Sequence, residues 1–185
     1  MVQLTQQIMA AVQPYQLGTN CDRLNMSVSV IDATSTGSTG TVMVSGNMPA
    51  FSAYQSSVQT VSTGTWTKVQ FQTKNFDTAN AFDNTTNYRF TPQVAGYYQV
   101  NGLVVFGMTS SWATIEINKN GSAFQYGLNM NGTPNGTGLG FNSLIYMNGS
   151  TDYLELYVYQ GSGGNQTINV GSVNSNFSAS LVRAA

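Results

Sequence analysis

The chain has 185 residues, of which 41% are hydrophobic and only 7% charged, with a formal net charge of −1. That length suits one domain, or one domain with an arm, and the apolar fraction is enough for a packed core. The six basic residues (Arg23, Lys68, Lys74, Arg89, Lys119 and Arg183) are scattered, which excludes the clustered cations that a nucleic-acid binder needs to neutralise phosphates.

Residues 1–46 differ from the rest. The opening MVQLTQQIMAAVQPYQ lacks the charged and long apolar regions of a signal peptide, and no apolar run approaches the ~20 residues that span a membrane. Leu4, Ile8 and Val12 recur at four-residue spacing and predict one short amphipathic helix, ended by Pro14. Two short alternating runs follow, at 24–30 and 41–45, separated by the small-residue linker DATSTGSTG. This segment is too short to bury a core alone. It reads as an anchoring arm that becomes ordered on a partner or on sister chains, with Leu4, Ile8 and Val12 as its apolar face. Cys21 is the single cysteine, so no intramolecular disulfide forms and the residue reads as a small buried one.

From residue 47 to 185 the pattern is β. Strands are predicted at 50–55, 67–71, 88–90, 96–106, 114–120, 123–130, 140–147, 152–160, 167–171 and 177–182, where apolar and polar residues alternate. KNGS, MNGS and GSGGN supply Gly and Asn at the turns between them. About ten strands with frequent turns and no long helix predict a sandwich, jelly roll or barrel.

One spacing narrows the fold. Phe71 is followed after five residues by Asp77, after four by Phe82, after seven by Phe90, after five by Gly96 and after one by Tyr98. This series resembles the signature of the globular C1q domain family, whose wider group includes the tumour-necrosis-factor-like jelly rolls. PAFSAYQ around Phe51 resembles the family's opening strand, NGSTDYLELYVYQ around Tyr153 its penultimate strand, and NFSASLV around Phe177 its closing strand. The departures are one extra residue between Phe82 and Phe90, Val100 for the usual Phe, Gly102 in place of an aromatic, and Ser150-Thr151-Asp152 for a Gly-Asp step. The resemblance implies an all-β, ten-stranded C1q/TNF-like jelly-roll sandwich, here with an extended N-terminal arm, that assembles as a homotrimer. Phe51, Phe71, Asp77, Phe82, Phe90, Gly96, Tyr98, Tyr153 and Phe177 are then its structural signature, in the core or at the trimer seam. An excess of Tyr and Phe over what a small monomer core can bury agrees with that seam.

Catalytic chemistry finds little support. The chain has no histidine, so Ser-His-Asp and Cys-His arrangements and histidine metal sites are unavailable. Glu116 and Glu155 lie in alternating strands and read as solvated strand-face charges. Asp77 and Asp83 flank a turn-rich loop where a calcium ion would need more oxygen ligands, and turn formation is the stronger reading. NGTPNGTGLG lacks the lysine and following helix of a phosphate loop.

No enzyme, cofactor or metal is therefore expected. The expected function is a trimeric bacteriophage virion protein that docks by its arm and projects a C1q-like head. Capsid decoration or cement protein, head fibre and short tail adhesin all fit. Its partners would be itself, the major capsid protein or other virion proteins, and a host surface glycan or protein. Loop tips are the expected contacts, marked by Asn131, Asn135 and Asn165. The alternative is a secreted C1q-like ligand-binding module of bacterial or eukaryotic origin.

Overall fold

A computed structural model describes residues 48–107, 112–131 and 136–185. The expected arm, with Leu4, Ile8 and Val12, lies outside the described residues, as does Asn135. Every regular element among the described residues is a strand. In chain order they are β1 (Ala50–Tyr54), β2 (Gln59–Val61), β3 (Thr67–Lys68), β4 (Thr73–Asp77), β5 (Phe82–Asp83), β6 (Arg89–Phe90), β7 (Ala95–Phe106), β8 (Trp112–Lys119), β9 (Ser122–Asn131), β10 (Thr137–Asn148), β11 (Leu154–Gln160), β12 (Gln166–Ile168) and β13 (Asn176–Ala184).

The strands form two antiparallel sheets. In the first, β4, β1, β13 and β7 lie in that order, and β10 pairs along the whole other side of β7. Past the end of β13, β12 takes over the side of β7 that β13 leaves, and β2 pairs with β12. The second sheet runs β5, β6, β11, β8, β9, with β3 paired to β11.

Period-two alternation decides which faces meet. On β7, Tyr98, Val100, Val104 and Phe106 are buried while Tyr97 and Asn101 are exposed. Ala113, Ile115 and Ile117 of β8 and Leu154, Leu156 and Val158 of β11 supply the opposing layer. Gly102, where the resemblance leads to an aromatic, faces Leu156 directly. A Cβ at Gly102 would collide with the Leu156 side chain, so the leucine fills the volume instead.

Six of the seven signature aromatics, all but Tyr153, are buried in the core of one chain. Phe51 stacks on Phe82 at 4.7 Å and on Phe90 at 4.6 Å, and meets Phe177 edge-on at 5.1 Å. Phe71 touches Phe177 and Phe90 touches Tyr98. All six are buried, in the offset and T-shaped arrangements that ring quadrupoles favour. The Tyr98 hydroxyl donates to the Val94 carbonyl at 2.8 Å, and burial pushes its pKa up to about 12. Gly96 is buried where the backbone of β13 crosses it. A Cβ there would fall on the Arg183 carbonyl oxygen and lie 2.9 Å from Ala184 Cα.

Some expected boundaries change. Tyr88 is not part of a strand: its φ of 51° closes the loop that Asp83 organises. The expected strand over 67–71 is regular only at Thr67–Lys68. Beyond it, the Gln59 amide takes the place of a neighbouring strand, donating to the Lys68 carbonyl at 2.7 Å and accepting from the Gln70 N–H at 2.9 Å. β2, β4 and β5 escape the alternation test because they are short or polar; TKNFD of β4 owes its strand form to its ladder with β1.

Candidate functional site

The outward face of the second sheet carries a layer of aromatic side chains. Cross-strand register places Tyr159 of β11 opposite Thr114 of β8, and Thr114 opposite Asn129 of β9. One pleat further along β8, Glu116 lies between Tyr157 and Tyr126. Directly opposed residues share a face, and residues two apart on one strand do too, so Trp112 joins this surface.

Four rings there make a continuous row. Trp112 stacks on Tyr159 at 4.7 Å and 22°, Tyr159 meets Trp66 at 5.5 Å, and Trp66 meets Tyr126 at 5.9 Å. The row borders an open cleft of about 500 Å³ lined by Trp66, Trp112, Thr114, Tyr126, Gly127 and Asn129. Trp112 is 42% and Tyr126 63% exposed. The lining contains no charged side chain. The Gly161 N–H donates to the Trp112 carbonyl at 3.0 Å, and a Cβ on Gly161 would come 3.0 Å from the indole nitrogen. That glycine leaves room for the ring.

This aromatic layer corrects the expectation for the two glutamates. Neither is a solvated charge. Glu155 is buried and pairs with Lys68 at 3.0 Å. Glu116 is only 4% exposed, and its Oε2 has no hydrogen-bond partner among the described residues. Desolvation holds the Glu116 carboxyl above the usual carboxylate range. Alternation correctly turned both away from the core, but Tyr157 and Tyr126 flank Glu116 on the neighbouring strands and Lys68 pairs with Glu155 on the face they turn to.

A second surface lies where the two sheets end side by side. Among the described residues β9 pairs only with β8, and β10 only with β7, so each is an edge of its sheet there. The Ser143 hydroxyl donates to Gln125 Oε1 at 2.7 Å and ties the two edges together. Exposed edges invite association unless they are covered or charged. Here they are apolar: Phe124 and Leu128 on β9, Leu144 and Tyr146 on β10, and Tyr97 beside Tyr146 with ring centroids 5.4 Å apart. Both β9 residues sit at register shifts in the pairing with β8, which take them out of simple alternation. Two cations border this surface: Arg183, exposed and opposite Tyr97 in the register of β13 with β7, and Lys119, whose ammonium is held by the Tyr146 carbonyl at 2.7 Å and Asp152 at 2.9 Å.

The aspartates among the described residues are occupied by the fold. Asp83 accepts from the backbone N–H of Thr85, Thr86 and Asn87 at 2.9–3.0 Å, and these bonds, those to Thr86 and Thr85 first, hold its pKa far below the usual value. Burial would raise Asp77, but Lys74 at 2.8 Å and the N–H groups of Ala81 and Phe82 outweigh it. Asp152 is likewise lowered against burial by Asn120, Lys119 and the Asn148 N–H. Tyr153, placed in the signature, is half-buried outside the core, with the Arg89 guanidinium 4.4 Å from its ring centroid.

Of the expected loop contacts, Asn131 and Asn165 are exposed. Asn131, at the end of β9, is the register partner of Trp112, and the 161–165 turn begins at Gly161, which packs against that ring. The cleft itself was not expected. The available signal was that the chain has only two tryptophans, one in the polar stretch TGTWTK and one opening β8.

No protein family matches the chain in sequence, and neither does any curated protein. Solved structures do match in fold. Murine APRIL at pH 8.0 superposes with a TM-score of 0.58 at 6% identity, covering 73% of this chain and 99% of that one. The globular domain of zebrafish complement 1qA protein matches with 0.54 at 14%, covering 75% and 99%. Vertex protein P5 of PRD1 matches with 0.53 at 15%, covering 73% and 97%. The fold is thus an all-β, antiparallel jelly roll of the TNF/C1q type.

Proposed function

We propose that the chain is a non-catalytic, trimeric structural protein of a bacteriophage virion, docked by residues 1–46 and displaying a C1q/TNF-like head. The observation that carries the trimer is the apolar double edge of β9 and β10. Phe124 and Leu128 on β9, Leu144 and Tyr146 on β10, and Tyr97 against Tyr146 are all exposed, and exposed apolar surface on this scale marks a protein–protein contact. A three-fold arrangement buries one such edge per protomer and closes without leaving any exposed. Support for the virion comes from the likeness to the PRD1 vertex protein. A composition with polar groups drawn from uncharged residues suits a surface exposed outside the cell. The likeness to murine APRIL and to the zebrafish complement domain supports a second reading, a secreted ligand-binding module of the same assembly.

Sedimentation equilibrium at micromolar concentration tests the trimer. The expected mass is three times 19.8 kDa; a stable monomer overturns the assembly. Deleting residues 1–46 is expected to leave a folded trimer that no longer joins its particle. Retained incorporation removes the docking role of the arm and, with it, the first reading's advantage over the second.

A further inference from the structure

We infer that the cleft between Trp66, Trp112 and Tyr126 is a binding site for an uncharged sugar unit of a glycan. The site lies within one chain, so it stands or falls separately from the trimer.

The chemistry of the lining selects the ligand. Trp112 and Tyr126 stand exposed at the two ends of the row. Between them lie the Thr114 hydroxyl and the Asn129 amide, which can donate and accept hydrogen bonds. A pyranose has this same division: a C–H face that packs on an aromatic ring and a rim of hydroxyls that needs neutral donors and acceptors. An aliphatic peptide side chain fits less well, because the lining holds no Leu, Ile, Val or Met. A nucleobase would stack there, but its phosphates need a cationic groove, and no Lys or Arg lines the cleft. An acidic sugar finds no cation either. The volume of about 500 Å³ falls within the range of small-molecule sites, roughly 300–1,000 Å³.

The row is also built to hold its shape. Tyr159 is clasped between Trp112 and Trp66, so the rings are ordered before a ligand arrives and little side-chain freedom is lost on binding. Aromatic platforms of this kind give large contact area at low entropic cost.

The two tryptophans of the chain are both in the cleft, so tryptophan emission, excited clear of tyrosine absorption, reports on this site. The full chain is applied to an array of neutral and acidic oligosaccharides, and tryptophan emission is then titrated with the best-retained neutral one. The expected result is retention of neutral glycans and a saturable emission change. Trp112→Ala and Tyr126→Ala should each weaken binding about tenfold, the scale of one aromatic contact, while Val173→Ala, at an exposed position between β12 and β13 of the other sheet, leaves it unchanged. Should Trp112→Ala fail to fold, Tyr126→Ala on the exposed rim decides. Four results overturn the site: no neutral glycan retained, acidic glycans alone retained, binding indifferent to the ring substitutions, or emission that changes with protein concentration in the absence of sugar. The last would mean that a second copy covers the cleft.

Discussion

At the scale of single residues, the carboxylates divide into two groups with opposite effects on stability. Asp77, Asp83 and Asp152 have folded pKa values below their unfolded ones. Their contribution is present above the unfolded value near 3.8 and is lost as pH falls through the folded values. Glu116 is reversed. Its folded pKa is raised above 4.5, so its contribution is complete below that value and is lost as pH rises through the folded one. Thermal unfolding from pH 3 to 8 should therefore show Glu116→Gln more stable than the parent at neutral pH and nearly equal at the acid end. Asp83→Asn should be less stable at neutral pH, with a flatter acid limb. The sequence marked Asp77 and Asp83 as turn formers because short acidic side chains cap nearby N–H groups. It misread Glu116 and Glu155 because alternation says which face a residue occupies and nothing about what lies over that face.

At the scale of elements, the long strands were readable and the short ones were not. β7, β8, β10, β11 and β13 alternate over seven to twelve residues, long enough for period two to stand out from chance. β4 has no such pattern and exists because β1 offers it a ladder. Residues 68–70 are held by a side chain acting as a strand. Replacing Gln59 with Ala removes both amide bonds and should cost about 1–3 kcal/mol. Equilibrium urea unfolding checks the value, and faster amide hydrogen exchange at Gln70 would locate the loss. On β9, each register shift with β8 adds a residue: Phe124 is extra at one, and Gly127 and Leu128 together face Ile115 at the other. The sequence shows an apolar strand there but cannot show the register shifts, which depend on how β9 meets β8.

For the whole molecule, the question is where the surplus aromatic surface goes. The signature rings around Phe51 fill the core of one chain, and a different set, Tyr97, Phe124 and Tyr146, is left outside. A charge placed in that second set should dissociate the assembly without unfolding the chain. Leu144→Glu, at a position 55% exposed, is expected to yield a monomer with a near-parental far-ultraviolet circular dichroism spectrum. A trimer that survives the substitution would move the interface elsewhere.

The sequence by itself determined an all-β chain of sandwich, jelly-roll or barrel type, and its resemblance to the C1q family narrowed this to the jelly roll. The spacing from Phe71 to Tyr98, the closing strand at Phe177 and the glycine at 96 each answer to local demands of strand, turn and core, which a chain carries in order along its length. Only the tertiary structure decided which aromatics would be left at the surface and where they would gather. Trp66, Trp112, Tyr126 and Tyr159 lie on four separate segments, and Phe124 and Tyr146 on two. Their meeting is a product of register and sheet order, and distance along the chain contains neither.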